Sequence, residues 1–238
     1  MTAANDADGL GVAAFAARML QFGDSMFPIG GFSFSCGLES AIQMGVVTDT
    51  TTLQAFALTA IEQAARGDGI ALIAAHSAAT AGDIDVLIRI DGQVYARKLS
   101  EEMRTMSVRM GKKFAEMGTQ VVGAPLLHRW YESIETGRTP GCYPVALAVN
   151  FAVQNLSARD TFVVHQYGLA TTILSAALRL MRVSHVETQK ILYELCGRAE
   201  AAYRVAASAS LSDMSSYAPV MEILAAVHAK AHVRLFMT

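Results

Sequence analysis

The sequence predicts an all-α fold. Apolar residues recur at three- and four-residue spacing along nearly the whole chain, and alternating apolar and polar runs bounded by turn residues are scarce. The recurring patterns are opened by cap residues and closed at Gly or Pro, as helices are. Together these predict one helical bundle of roughly ten helices, with a flexible segment at the C-terminal end.

Residues 1–17 read as an N-terminal extension and the start of a first helix, and 18–207 as the helical domain. Between Leu20 and Glu39 the chain must turn a corner, because Pro28 and the Gly30-Gly31 pair break any helix. Phe27, Phe32 and Phe34 are expected to pin that corner to apolar surface, and Ser33 or Ser35 to cap the helix after it. Asp49 precedes Leu53, Phe56, Ala57, Ala60, Ile61 and Ala64, an i, i+3, i+4 series that predicts a helix over Thr50–Arg66. The Gly67-Asp68-Gly69 break leads to a second apolar stretch, Ile70–Ala81, and Asp83 can cap a short helix into Ile90 before Asp91-Gly92. From Gln93 to Met117 the stripe Met103, Met106, Met110, Phe114 and Met117 predicts one long helix packed through flexible thioethers.

Val121–Thr136 predicts the next helix, stopped by Gly137 and Pro140-Gly141, and Tyr143-Pro144 opens another that runs to about Asn155, with proline at a tolerated first-turn position. Ser157 caps a helix through Met181, and Ser184 with Glu187 forms a capping box for a helix carrying Leu192, Leu195, Ala199, Ala202 and Ala206. These last two read as an antiparallel pair at the centre of the core. Residues 208–218 hold five serines and little apolar periodicity and read as a Ser-rich hinge; 219–238 resumes a helical pattern and reads as a segment that docks on a partner.

Composition narrows the function. The chain has 238 residues, 53% of them hydrophobic and 17% charged, so it folds around a large core and presents little charge outside it. Nineteen basic against 21 acidic residues give a net charge of -2, which offers nucleic acid no electrostatic attraction. Cys36, Cys142 and Cys196 are odd in number and far apart, which fits a reducing cytoplasmic setting rather than a disulfide framework. A mean hydropathy of +0.33 raises a membrane association. The longest apolar stretch, Phe162–Met181, contains His165, Gln166 and Arg179, so a buried helix costs less. Residues 1–20 carry no basic leader and do not read as a signal peptide.

No phosphate loop, dinucleotide fingerprint, His-Glu-x-x-His or nucleophile elbow is present, so no catalytic residue and no tightly bound cofactor is assigned. No metal site is assigned either. His228 and His232 share a helix face and Cys36 offers a thiol, which makes these three the candidates for a rival reading as a nickel- or zinc-binding helical protein or small metalloenzyme.

The run Asp24-Ser25-Met26-Phe27-Pro28-Ile29-Gly30-Gly31-Phe32-Ser33-Phe34-Ser35-Cys36-Gly37-Leu38-Glu39 resembles the early motif of the urease accessory protein F family (UreF). Ser107–Gly111, Tyr143–Ala146, Ala176–Leu180 with Gln189, and Pro219–His228 with Arg234-Leu235-Phe236 follow in family order, so the resemblance spans about residues 18–238. Cys142, Ala229 and Thr238 depart from the family pattern, where histidine, glutamate and serine are usual. The resemblance implies an all-helical, non-enzymatic cytoplasmic protein that commonly dimerises. It implies an adaptor between UreD (also called UreH) and the GTPase UreG, delivering nickel to apo-urease, with GTP bound by UreG and nickel handled by the complex. It implies a C-terminal segment ordered by UreD/UreH, for which Tyr217, Pro219, Arg234, Leu235 and Phe236 are the expected contacts; Asp24, Pro28, Gly30, Phe32 and Glu39 of the corner are expected to serve a partner surface, the nickel path or the fold itself.

Overall fold

The computed structural model describes residues 11–216, 218–228, 235 and 236. Among them are twelve α-helices and no strand: α1 (Val12–Gly23), α2 (Leu38–Gln43), α3 (Thr50–Ala64), α4 (Ile70–Thr80), α5 (Ile84–Arg97), α6 (Glu101–Val121), α7 (Pro125–Glu135), α8 (Tyr143–Val153), α9 (Ala158–Leu180), α10 (His185–Cys196), α11 (Ala199–Ala207) and α12 (Pro219–His228). Asp49, Asp83, Ser157 and Ser184 cap the helices that follow them, each accepting a backbone N–H, as their side-chain chemistry predicts.

Several boundaries differ from the sequence expectation, each for a physical reason. Helix α5 does not stop at Asp91-Gly92. The Asp91 carboxylate is buried and accepts the Thr139 hydroxyl (2.6 Å) and the N–H groups of Gly141 (2.7 Å) and Cys142 (2.8 Å), so it ties down the loop before α8. Burial pushes its carboxyl above the ordinary value, against those three hydrogen bonds. The interruption falls instead at 98–100, where the Ser100 hydroxyl accepts the Met103 N–H and opens α6, so Gln93–Met117 belongs to two helices. Helix α6 runs to Val121, Gly123 turns at φ 69°, and Pro125 opens α7, which is why the helix expected from Val121 starts later. The helix after Ser184 breaks at Gly197-Arg198 into α10 and α11.

Gly67-Asp68-Gly69 is not a gap either. Residues Ala65–Gly69 form one π-helical turn that carries α3 into α4, with a Cβ at Gly69 reaching 2.5 Å from the Phe162 ring. The turn aims Asp68 at Lys98, whose ammonium lies 2.8 Å away. Burial raises the Asp68 carboxyl, but Lys98 and His165 outweigh it and hold the group below the ordinary range.

The centre of the core is α8, not the α9–α10 pair. Every residue from Pro144 to Ala152 is buried, and α4, α6, α7 and α9 surround it. Two apolar clusters result. Phe114, Trp130, Leu147, Phe151 and Phe162 belong to the first; Leu38, Leu53, Ile173, Leu192, Leu224 and Phe236 belong to the second. Helix α9 runs through both, giving Phe162 and Val164 to one and Ile173 and Leu174 to the other. The Ser-rich stretch expected as a hinge contains a 3-10 turn over Leu211–Asp213, closed by a Ser210–Asp213 capping box. It is fastened to α3 and the π turn: the Ser215 N–H donates to the Arg66 carbonyl (3.2 Å), the Gln63 amide to the Ser215 carbonyl (3.1 Å), and the Ala218 N–H to Gln63 Oε1 (2.7 Å).

Helix α6 approaches the start of α8 so closely that a Cβ on Gly111 would lie 2.1 Å from the Gly141 carbonyl oxygen. Gly111→Ala is therefore expected to lose about 3 kcal/mol through overpacking against backbone that cannot swing aside, read as a lowered denaturation midpoint. Lys98→Met leaves the half-buried Asp68 without its main partner and is expected to cost about 2 kcal/mol at neutral pH. Because Asp68 titrates below its ordinary value, the contribution of the pair is present above about pH 4 and is lost as the pH falls further, so the difference between variant and wild type should shrink in acid.

Candidate docking site

The corner, the end of α9 and the C-terminal segment meet at one place. After α1 the Asp24 carboxylate accepts the Met26 N–H (2.8 Å), and Gly30 takes φ 78° to open a short 3-10 turn, Gly31–Ser33. Phe27 packs tilted against Phe22 and Phe114, with ring centroids 5.1 and 5.3 Å away, and Phe34 is buried. Phe32 is 65% exposed, so it does not anchor the corner as expected. Neither Ser33 nor Ser35 caps α2. Its N-cap is Gly37 at φ 80°, preceded by Cys36 at φ 53°, and the Ser35 hydroxyl is buried without a hydrogen-bond partner. The two left-handed residues turn Glu39 inward, and a Cβ on Gly37 would stand 3.5 Å from atoms of α12.

Glu39 is the pivot of the arrangement. Its carboxylate accepts the N–H groups of Leu235 (2.8 Å) and Phe236 (3.2 Å), and its Oε2 lies 2.8 Å from His228 Nε2. On the other side of the ring, His228 Nδ1 lies 2.8 Å from Glu102 Oε2, and all three side chains are buried. A single imidazole from α12 thus bridges carboxylates from α2 and α6. The Glu222 carboxylate accepts the Ser100 N–H (2.9 Å), so α12 also completes the N-terminus of α6. Arg179 closes the far end: its guanidinium donates to the Phe32 carbonyl (2.9 Å) and stands 4.1 Å above the Phe236 ring.

The site residues expected from sequence are thus partly gathered. Glu39, Phe32, Leu235 and Phe236 converge with Arg179, while Pro219 stands exposed at the start of α12 and Asp24 and Pro28 are exposed on the corner. Phe236 is only 5% exposed and holds the segment down; Leu235 points outward at 63%. Tyr217, Arg234 and His232, with the departures at Ala229 and Thr238, lie outside the described residues. On α12 the outward residues Val220 (56%), Ile223 (57%) and Val227 (41%) form an apolar stripe at i, i+3 and i+7. Sequence reasoning did not identify Glu102 or Arg179 as members of this site. A glutamate within an otherwise buried helix face was the available signal for the first.

Neither of the two described metal candidates, His228 and Cys36, is set up to ligate an ion. Both ring nitrogens of His228 are engaged by carboxylates on opposite sides, a linear order that leaves no common point for an ion. Cys36 Sγ lies 3.8 Å from Met106 Sδ on the wall of a cleft of about 360 Å³, and burial, reinforced by Glu102, pushes its thiol up to about 12, well above the range of a ready metal ligand. Among the described residues no three His, Cys, Asp or Glu side chains are placed to hold a metal ion, and no helix is long and apolar enough to cross a membrane.

His228→Ala leaves Glu39 and Glu102 buried with no imidazole between them. The expected result is loss of amide-exchange protection over 219–228, with the rest of the bundle retaining its helical signal, and a stability cost of about 3 kcal/mol.

The family model described as UreF matches residues 47–196. Over 219 residues the chain is 54% identical to proteins named urease accessory protein UreF from Yersinia enterocolitica (serotype O:8 / biotype 1B) and Yersinia pseudotuberculosis (serotype IB), and 53% identical to the one from Yersinia pestis (strain Pestoides F). Each alignment covers 92% of this chain and 96% of the relative. Proteins of this family are accessory to urease maturation and are not themselves enzymes. On the strength of these matches, the chain belongs to the UreF family of urease accessory proteins.

Proposed function

We propose that this protein is a cytoplasmic adaptor that bridges UreD/UreH and the GTPase UreG, so that the complex delivers nickel to apo-urease. The observation that carries the reading is the two-sidedness of the C-terminal segment. Its inner face is pinned through His228, Leu224 and Phe236, while its outer face presents Val220, Ile223, Val227 and Leu235 to solvent. An apolar stripe on a fixed helix costs little to order on binding, which favours a specific partner. Nickel passes as cargo of the complex, and GTP is bound by UreG.

Within this reading the residues divide by what they touch. Pro219 and Leu235 contact UreD/UreH directly, together with the α12 stripe. Phe236 acts by holding the segment, and Glu39 by seating it. Tyr217 and Arg234 remain proposed contacts on the grounds of family resemblance. Exposed Phe32, Asp24, Pro28 and the Gly30 turn extend the same surface, since the Phe32 carbonyl and the Phe236 ring share Arg179. A homodimer is proposed as well, and the exposed Val12 and Leu20 of α1 offer an apolar face on which it could form.

Ile223→Asp places a charge in the stripe without touching the core. Titration against UreD/UreH is expected to show affinity weakened about tenfold or more, with the thermal midpoint of the free protein unchanged. Unchanged affinity would remove the docking assignment. Phe236→Ala should weaken the same affinity but also reduce exchange protection of the segment in the free protein, which separates a seating role from a contact role.

A further inference from the structure

We propose that seating of the C-terminal segment is linked to one proton held in the Glu39–His228–Glu102 cluster, so that the segment is latched at neutral and lower pH and loosens as the pH rises. The inference deepens the adaptor reading, because it concerns the regulation of that docking element.

Both ring nitrogens of His228 lie 2.8 Å from a carboxylate oxygen, one from Glu102 and one from Glu39. A neutral imidazole carries one N–H and can donate to only one of them. Two carboxylates and a neutral ring would leave a ring lone pair facing a carboxylate oxygen in a buried site, a repulsive contact of two acceptors. Filling both contacts takes one hydrogen more, either on the ring or on one of the two carboxyl groups. The seated cluster therefore holds one proton beyond a neutral ring and two carboxylates, whichever heavy atom carries it.

A carboxyl and an imidazole open to water titrate at about 4.3 and about 6.5. Above about pH 6.5 the unseated cluster lacks the extra proton, so seating takes one up and must weaken as the pH rises, by at most tenfold per unit. Between that pH and the carboxyl range the unseated ring is already protonated and the dependence disappears. Among the described residues, the neighbouring charged and titratable groups are otherwise engaged. Cys36, ahead of α2, is buried and protonated, and Lys98, before α6, is already paired with Asp68. Glu222 on α12 itself accepts the Ser100 N–H, and Arg179 of α9 faces the Phe236 ring. None of these bridges the two carboxylates as His228 does.

The test is amide hydrogen exchange of the full chain between about pH 6 and pH 8.5, with each rate corrected for its intrinsic pH dependence. In wild type the protection of residues 219–228 is expected to fall above about pH 7 by up to tenfold per unit, while protection of α8 stays flat. Glu102→Gln supplies a neutral amide that can donate to the free ring nitrogen, so the cluster needs no extra proton. The segment should stay protected in that variant and lose its pH dependence. Wild-type protection that does not change over the range overturns the proposal, as does a Glu102→Gln variant that keeps the wild-type slope. The wild-type result decides by itself should the variant not fold. Partner titration at one fixed pH remains a separate measurement, so the latch can fail while the docking role stands, or the reverse.

Discussion

A helix with no exposed face can be held only by neighbours on every side, and α8 is such a helix. Its burial from Pro144 to Ala152 dictates the close approaches around it: Gly111 of α6 against the Gly141 carbonyl, Gly118 of α6 against Asn150, and the Asp91 carboxylate gathering the loop that delivers the chain to Tyr143. At Gly111 the packing is backbone against backbone, where density is high and relaxation is limited. The first apolar cluster follows from this constraint, and α9, long enough to leave it, carries the fold into the second.

The second cluster is where the chain becomes two-sided. Burying Glu39 and Glu102 apart from a partner would be costly, and His228 answers both at once while Glu39 also takes two backbone N–H groups. The polar cluster fixes where α12 lies, and Leu224 and Phe236 add apolar area beneath it. What stays outside is an unpaired stripe of Val220, Ile223 and Val227 with Leu235 beyond. A rigid seat and an exposed apolar face are the two properties an adaptor needs in order to present a surface without refolding.

Much of this was legible in the sequence, and the rest was hidden for identifiable reasons. Helical periodicity and the Asp and Ser caps located most helices, because those signals are local. Asp91-Gly92 and Gly67-Asp68-Gly69 looked like breaks because Gly and Asp are poor helix formers; tertiary hydrogen bonds to Asp91 and the Lys98 ion pair to Asp68 override that preference. Sequence reasoning found the corner and the tail as separate features. It could not see that Glu39, Glu102 and His228 meet, since their separations along the chain leave no periodic trace. Phe236, expected as a partner contact, is buried, because an aromatic ring at the end of the segment covers apolar surface of the bundle, while Phe32, expected inside, faces solvent.

Seated on its own bundle, this segment is the surface that we propose joins a complex. Light scattering coupled to size exclusion, on the full chain mixed with UreD/UreH and UreG with GTP and nickel present, measures that claim most directly. The account predicts a stoichiometric assembly containing all three proteins, and the loss of UreD/UreH from it when Val220 and Ile223 are both replaced by aspartate. An assembly that forms unchanged with those replacements, or no assembly with the wild-type chain, would contradict it.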